Sequence, residues 1–333
     1  MKNDGKTALI TEMMQTAQII RDFDFSKTIS VAKRILEKKR VFISGEGSSR
    51  ILPAKNFISE AMRQGADIAT ATDGSYQACE YDLSDFVVML GSNSGQTKET
   101  ITLMRKLLKE GHNDVFAFTN TPGSILDSEA SAGITFTCGK ENAVAATKSV
   151  VEHALVYQSI LCHITGSDVC VANNVKAAAL AENILSSDLD ETLVERLAAA
   201  RMVFIAGRNN GVAEELALKA TEIMRKPSMY LDGTIVLHGY EEIMTSDDVV
   251  IFVEPYETEF AKMDEIFVKN VGAEVLCISS GDTPFSTVKV PLLEGYSNYL
   301  ALLAGWNILV ATGLKLGVNL DKPVRARKVG NAI

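Results

Sequence analysis

What this 333-residue chain lacks narrows its function before any motif is read. Its five cysteines (Cys79, Cys138, Cys162, Cys170 and Cys277) form no CxxC pair and leave an odd number. That argues against a disulfide framework and for buried free thiols in a reducing compartment, so the protein is expected in the cytoplasm. Histidine occurs only at 112, 153, 163 and 238, never in a metal-binding spacing, so no metal site is expected and no motif asks for a cofactor. Thirty-three Lys and Arg against 42 Asp and Glu leave a net charge of −9. Gripping a nucleic-acid backbone takes clustered cations, so no nucleic-acid partner is expected. One small anionic ligand remains compatible, because a few backbone N–H groups hold a phosphate locally. The opening MKNDGKTALITEMM has no apolar signal-peptide core, and the longest apolar stretch, Tyr299 to Thr312, carries Asn307 and is too short to span a bilayer. No membrane partner is expected either.

What is present is an ordinary globular composition, 47% apolar and 23% charged. It also repeats itself. Val41-Phe42-Ile43-Ser44-Gly45 is followed 162 residues later by Val203-Phe204-Ile205-Ala206-Gly207. Glu60-Ala61-Met62-Arg63 meets Glu222-Ile223-Met224-Arg225 at the same offset, and so does Ser84-Asp85-Phe86-Val87-Val88 against Ser246-Asp247-Asp248-Val249-Val250. Three registers at one spacing indicate a duplication. Short apolar runs predict strands at 41–44, 86–90 and 114–118 in the first copy and at 202–206, 248–253 and 274–278 in the second. Helical spacing from Thr97 to Lys109 ends at Gly111, where a C-terminal glycine is expected. Strands alternating with helices imply an α/β chain of two doubly wound, mainly parallel sheets flanked by helices. The predicted organisation is an N-terminal helical segment over 1–36, a first domain over 37–165, a polar separator from Gly166 to Asn174, and a second domain over 175–333 that opens on a helical stretch from Val175 to Arg201.

The copies differ after the middle strand. The first runs into Gly91-Ser92-Asn93-Ser94-Gly95-Gln96-Thr97 and a helix; the second has Val253-Glu254-Pro255-Tyr256-Glu257-Thr258-Glu259. Small hydroxyl residues and free N–H groups at a helix start suit an anion, and ligands of parallel sheets gather beyond the carboxyl ends of the strands. Ser92, Asn93, Ser94 and Thr97 are therefore candidates for a phosphate cradle, although one such loop alone would read as a turn and an N-cap. The second polar turn, Gly45-Glu46-Gly47-Ser48-Ser49, follows the neighbouring strand and would open on the same crevice. The acidic second-copy loop would repel phosphate, so one phosphate per chain is expected.

These pieces resemble the SIS (sugar isomerase) domain, and from about residue 35 onward the chain resembles the isomerase half of glucosamine-6-phosphate synthase. The turn ending Gly-Thr-Ser in that family is Gly47-Ser48-Ser49 here, and its Ser-Gln-Ser-Gly-Glu-Thr loop is Ser92-Asn93-Ser94-Gly95-Gln96-Thr97. Its Glu-x-x-Val-Ala-Ser-Thr-Lys stretch is Glu141-Asn142-Ala143-Val144-Ala145-Ala146-Thr147-Lys148, which adds Val144 and Ala146 to the implied binding set. The family's lysine and catalytic glutamate three residues on match Lys219 and Glu222, its His-Gly matches His238-Gly239, and its Asp-x-Pro followed by lysine matches Asp321-Lys322-Pro323 and Lys328.

The resemblance implies a role for each. Glu222 would be the base moving a carbon-bound proton between C1 and C2 of an open-chain sugar, with Lys219 beside it pairing with the glutamate or steadying the enolate. His238 would open the ring, and Lys328 would form a Schiff base or stabilise negative charge. Three departures bear on which sugar is bound: Tyr240 replaces a proline, Ala146 a serine and Thr221 a lysine. No cysteine follows Met1, so ammonia is not expected to come from glutamine in this chain. The expected activity is an aldose–ketose isomerase or deaminase of a hexose 6-phosphate, with an amino sugar phosphate as the expected substrate. The alternatives are a fructosamine-6-phosphate deglycase and a non-catalytic sugar-phosphate sensor. The expected assembly is a homodimer whose active site is shared, with His238 reaching the neighbouring chain's sugar.

Overall fold

The computed structural model describes residues 7–327 and 331–333. The chain divides into two compact units, one of Gln18–Asn142, Ala146–Val175 and Arg325–Ile333, the other of Met1–Ala17, Ala143–Ala145 and Lys176–Val324. The first holds strands β1 (Arg40–Gly45), β2 (Ala69–Asp73), β3 (Val87–Gly91), β4 (Val115–Thr119) and β5 (Ala132–Thr135), all parallel in the order β2-β1-β3-β4-β5. The second holds β6 (Val203–Gly207), β7 (Ser228–Asp232), β8 (Val249–Val253), β9 (Glu274–Ser279) and β10 (Ser286–Lys289) in the matching order β10-β9-β8-β6-β7. The α/β class and the parallel sheets expected from the sequence are both found. The duplication extends to hydrogen-bond register: Val41 pairs with Val87 as Val203 pairs with Val249.

The central strands are largely apolar because both faces of each sheet are covered. In the first unit Val41, Ile43, Val87 and Met89 pack under helices Ile29–Lys38, Ile51–Arg63 and Lys148–Thr165, against Ile35, Phe57 and Ile160. Their neighbours Phe42, Val88 and Leu90 point the other way, onto Ile101, Met104 and Leu107 of helix Lys98–Lys109. In the second unit Phe204, Val250 and Phe252 meet Val236, Met263 and Phe267 on one face.

Several elements depart from the sequence reading. Each sheet has five strands, where only three per copy were located; the added β2, β5, β7 and β10 are short, partly exposed and carry polar residues such as Thr70, Thr135, Ser228 and Ser286. The separator at 166–174 is largely helical: Gly166 (φ 72°) ends one helix and Val169–Ser186 begins almost at once. The stretch from Val175 to Arg201 is not one helix, because Asp190 starts a new one over Glu191–Ala199 by accepting from the Thr192 N–H at 2.9 Å.

Helix Ser297–Lys315 is the only one among the described residues long and apolar enough to cross a membrane, and 78% of its apolar window is buried, which makes it a core helix. Two glycines let it pack closely: a Cβ on Gly305 would reach within 2.4 Å of Leu216, and one on Gly313 within 2.8 Å of the Ile223 carbonyl oxygen. Glycine to alanine inside a helix ordinarily gains about 1 kcal/mol. Here the sign should reverse, since a backbone carbonyl cannot swing aside as a side chain can. Gly313→Ala should cost about 1–3 kcal/mol in urea unfolding, the range of an overpacked core; a gain in stability would show that the helix has room to move.

Candidate functional site

The first sheet reverses winding direction between β1 and β3, where Gly45 pairs with Gly91 at the carboxyl ends. Neither position has room for a side chain: a Cβ on Gly45 would lie 2.7 Å from the Gly91 carbonyl oxygen, and one on Gly91 2.7 Å from that of Ser49. Beyond β1, Gly47 adopts φ 53° and opens a single 3-10 turn, Gly47–Ser49, leaving Ser48 and Ser49 half-buried before helix Ile51–Arg63. Beyond β3, Ser92 is buried and its Oγ lies 2.8 Å from the Thr97 Oγ1. Thr97 is the N-cap of the twelve-residue helix Lys98–Lys109, whose dipole favours an anion there. Between them the Ser94 Oγ accepts from the Gln96 N–H at 3.2 Å, and Gly95 takes φ 62° with the Ser124 side chain packed against it.

Asn93 ties this loop to the next segment. Its Nδ2 donates to the Glu141 Oε2 at 3.3 Å, and its carbonyl accepts from the Asn120 N–H at 3.1 Å. Glu141 is buried and also accepts from the Thr147 N–H at 2.8 Å and the Ser149 Oγ at 2.6 Å, so one carboxylate joins the hydroxyl loop to the start of helix Lys148–Thr165. Val144 and Ala146 are half-buried in the connecting segment. One turn into the helix, His153 is enclosed by Phe118, Phe136 and Tyr157, and its ring is what a side chain on Gly91 would strike. Its Nε2 has no partner among the described residues, and burial pushes its pKa down to about 3.

In the second unit helix Val212–Lys219 runs into a π-turn, Ala220–Met224. Lys219 is only 1% exposed, with Nζ 2.7 Å from Glu222 Oε2 and 3.4 Å from Glu215 Oε1. One buried ammonium thus lies between two carboxylates, as a buried cation requires. The Glu222 side chain keeps 30% of its surface while that of Glu215 keeps none, so Glu222 is the carboxylate open to a reactant. His238 is exposed, just after the 3-10 turn Ile235–Leu237, and makes no hydrogen bond to this pair. Lys328 lies outside the described residues. The mouth of the second sheet is filled from within: Arg208, in the register of Glu46, donates to the Glu254 carbonyl and lies 4.5 Å over the Tyr256 ring, while the Glu254 carboxylate accepts from the Ser280 N–H at 2.8 Å.

Reading by motif put Ser92, Asn93, Ser94 and Thr97 together, and Lys219 with Glu222. It passed over Glu141, Glu215 and His153 as site-building groups. Glu141 opened a matched motif, but the other two carried no signal, since a helical glutamate and a lone histidine ordinarily read as surface or core.

Residues 34–162 match the SIS domain family. Those residues form a SIS domain, and the two five-stranded parallel sheets match the fold of tandem SIS subdomains. It is similar to the glutamine–fructose-6-phosphate aminotransferase (isomerizing) of Bacillus anthracis, 26% identical over 239 residues, which make up 68% of this chain and 40% of that protein. The matched part is therefore well under half of that relative's length. The C-terminal domain of glucosamine-fructose-6-phosphate aminotransferase from Francisella tularensis has the same fold, with a TM-score of 0.77 at 19% identity over 97% of this chain and all of that one. So does the glucosamine-6-phosphate deaminase of Thermotoga maritima, with a TM-score of 0.74 at 20% identity over 97% of this chain and 99% of that one.

The buried histidine yields a pH prediction. His153 stays neutral in the folded state down to about pH 3 but takes up a proton below 6.5 when exposed. The unfolded state then binds more protons, so stability falls as pH drops from 6.5, by up to about 1.4 kcal/mol per pH unit. Urea unfolding between pH 7 and 5 should show this slope in the wild type and a flatter one in His153→Phe. Equal slopes would mean that the folded protein also protonates His153.

Proposed function

We propose that the chain isomerises or deaminates a hexose 6-phosphate, with an amino sugar phosphate of the glucosamine-6-phosphate and fructose-6-phosphate type as substrate. The observation that carries this reading is the buried Lys219 ammonium held 2.7 Å from the half-exposed carboxylate of Glu222. Aldose–ketose exchange needs a base that takes a proton from one carbon and returns it to the next, and a positive charge near the oxygen where the enolate develops. Glu222 supplies the first and Lys219 the second. The hydroxyls of Ser92, Ser94 and Thr97 at the start of helix Lys98–Lys109 are assigned to the phosphate, with Gly47, Ser48, Ser49, Asn93, Val144 and Ala146 completing the binding set. The named activities of the similar proteins support the class: one isomerises while transferring an amino group, another deaminates glucosamine 6-phosphate.

In this reading 37–165 is the phosphate-binding domain and 175–333 the acid–base domain. His238, exposed and unbonded to Glu222, serves ring opening in a homodimer whose partner receives it, and Lys328 assists at the carbonyl. The five free cysteines fit a cytoplasmic protein.

The deciding experiment follows ketose–aldose conversion and ammonia release over amino sugar 6-phosphates, plain hexose 6-phosphates and fructosamine 6-phosphates. Turnover should require the phosphate, and Glu222→Gln should lose on the order of 10²- to 10⁴-fold in kcat while still binding substrate by calorimetry. Release of free amino acid from fructosamine 6-phosphates alone would replace the reading with a deglycase. Tight binding without turnover of any substrate would replace it with a sensor.

A further inference from the structure

The Sγ atoms of Cys162 and Cys170 lie 3.0 Å apart, joined by a thiol–thiol hydrogen bond. One comes from the last turn of helix Lys148–Thr165 and the other from the first turn of Val169–Ser186, across the three-residue turn Gly166–Asp168. The Gln158 Nε2, one turn before Cys162 on the same helix, donates to the Cys170 sulfur at 2.8 Å and fixes it in place. Among the described residues no other cysteine is hydrogen-bonded to a second thiol: Cys138 contacts the Asn120 side chain and Cys79 the Ser75 carbonyl, while Cys277 is buried in the second unit's core. None of these features enters the sugar chemistry.

We propose that Cys162 and Cys170 form a reversible oxidation site at which a peroxide converts the dithiol to an intrachain disulfide. Cys162, 6% exposed against 1% for Cys170, is the sulfur a small oxidant reaches first. Its thiolate attacks one peroxide oxygen, the O–O bond breaks, and Cys162 becomes a sulfenic acid as the first water leaves. The Cys170 sulfur then displaces the sulfenic hydroxyl, which departs with the Cys170 proton as the second water, and the S–S bond forms. Two thiols and one hydrogen peroxide give one disulfide and two waters; the protein is oxidised by two electrons and the peroxide reduced by two. The hydrogen bond to Cys170 also holds the Cys162 pKa below its ordinary value, whereas burial raises those of Cys79, Cys138 and Cys277. Closing the gap to a bond of about 2.05 Å moves each sulfur by roughly half an ångström, within the play of two side chains flanking a turn. A dithiol reductant reverses the step by exchange. The bond would staple the turn a few residues before Lys176, where the chain enters its second unit.

The test uses the whole reduced protein with near-stoichiometric hydrogen peroxide, read by intact mass, thiol titration and peptide mapping under non-reducing conditions. The expected result is the loss of two hydrogens, a fall from five free thiols to three, a Cys162–Cys170 linked peptide, and full recovery with dithiothreitol. Cys79→Ser should behave like the wild type, and Cys170→Ser should keep its remaining thiols or stop at a sulfenic acid on Cys162. Five thiols surviving, a link through any other cysteine, or sulfinic acid accumulating at Cys162 with Cys170 intact would each overturn the proposal. The wild-type map decides the matter even if a serine variant folds poorly.

Discussion

The contact on which the first unit's arrangement depends is the one Gly91 makes by having no side chain. Its backbone closes against the Ser49 carbonyl on one side and the His153 ring on the other, so β1, β3 and helix Lys148–Thr165 converge at a single point. The hydroxyls assigned to the phosphate sit close to it in the chain: Ser48 and Ser49 belong to the turn that makes the contact, and Ser92, Ser94 and Thr97 follow Gly91 directly. A larger residue there would part the strand ends before it touched any ligand. The lowered pKa of His153 belongs to the same constraint, because the aromatic rings that enclose it keep water from its charged form.

The second unit is organised by charge burial instead. Lys219 is nearly without solvent, and two carboxylates make that tolerable. Glu215 is fully enclosed beside it, whereas the Glu222 side chain keeps part of its surface in solvent. The sheet mouth in this unit is closed by its own Arg208, Glu254 and Tyr256, so the duplicated framework has been put to unlike uses: hydroxyls presented at one mouth, an internal polar plug at the other.

Much of this was legible from the residues alone. β1, β3, β4, β6, β8 and β9 read clearly, because strands covered on both faces form nearly continuous apolar runs. The four edge strands did not: Ala69–Asp73 and Ser286–Lys289 show neither a continuous apolar run nor a long alternation, and their pairing is set by the sheet beside them. The helix starting at Val169 was hidden by polar residues that solvent tolerates, and the break at 187–190 was carried only by Asp190. Of the site, the loop at 92–97 and the Lys219–Glu222 spacing were visible as patterns. Glu215 was not, since charge at a helical position predicts exposure and only the packed structure reveals the opposite.

The π-turn at Ala220–Met224 ties the Lys219–Glu222 ion pair to something other than residue identity. An α-helix turns by about 100° per residue, and a π-turn holds one residue more than the regular ladder needs. Deleting Ala220 or Thr221 would restore ordinary helical hydrogen bonding, yet it would turn Glu222 away from Lys219. The helix would survive and the pair would not. A surface loop absorbs a change of one residue; at this position the length of the chain is itself part of what holds the buried ammonium against its carboxylate, and substitution at Thr221 is a far milder event than its removal.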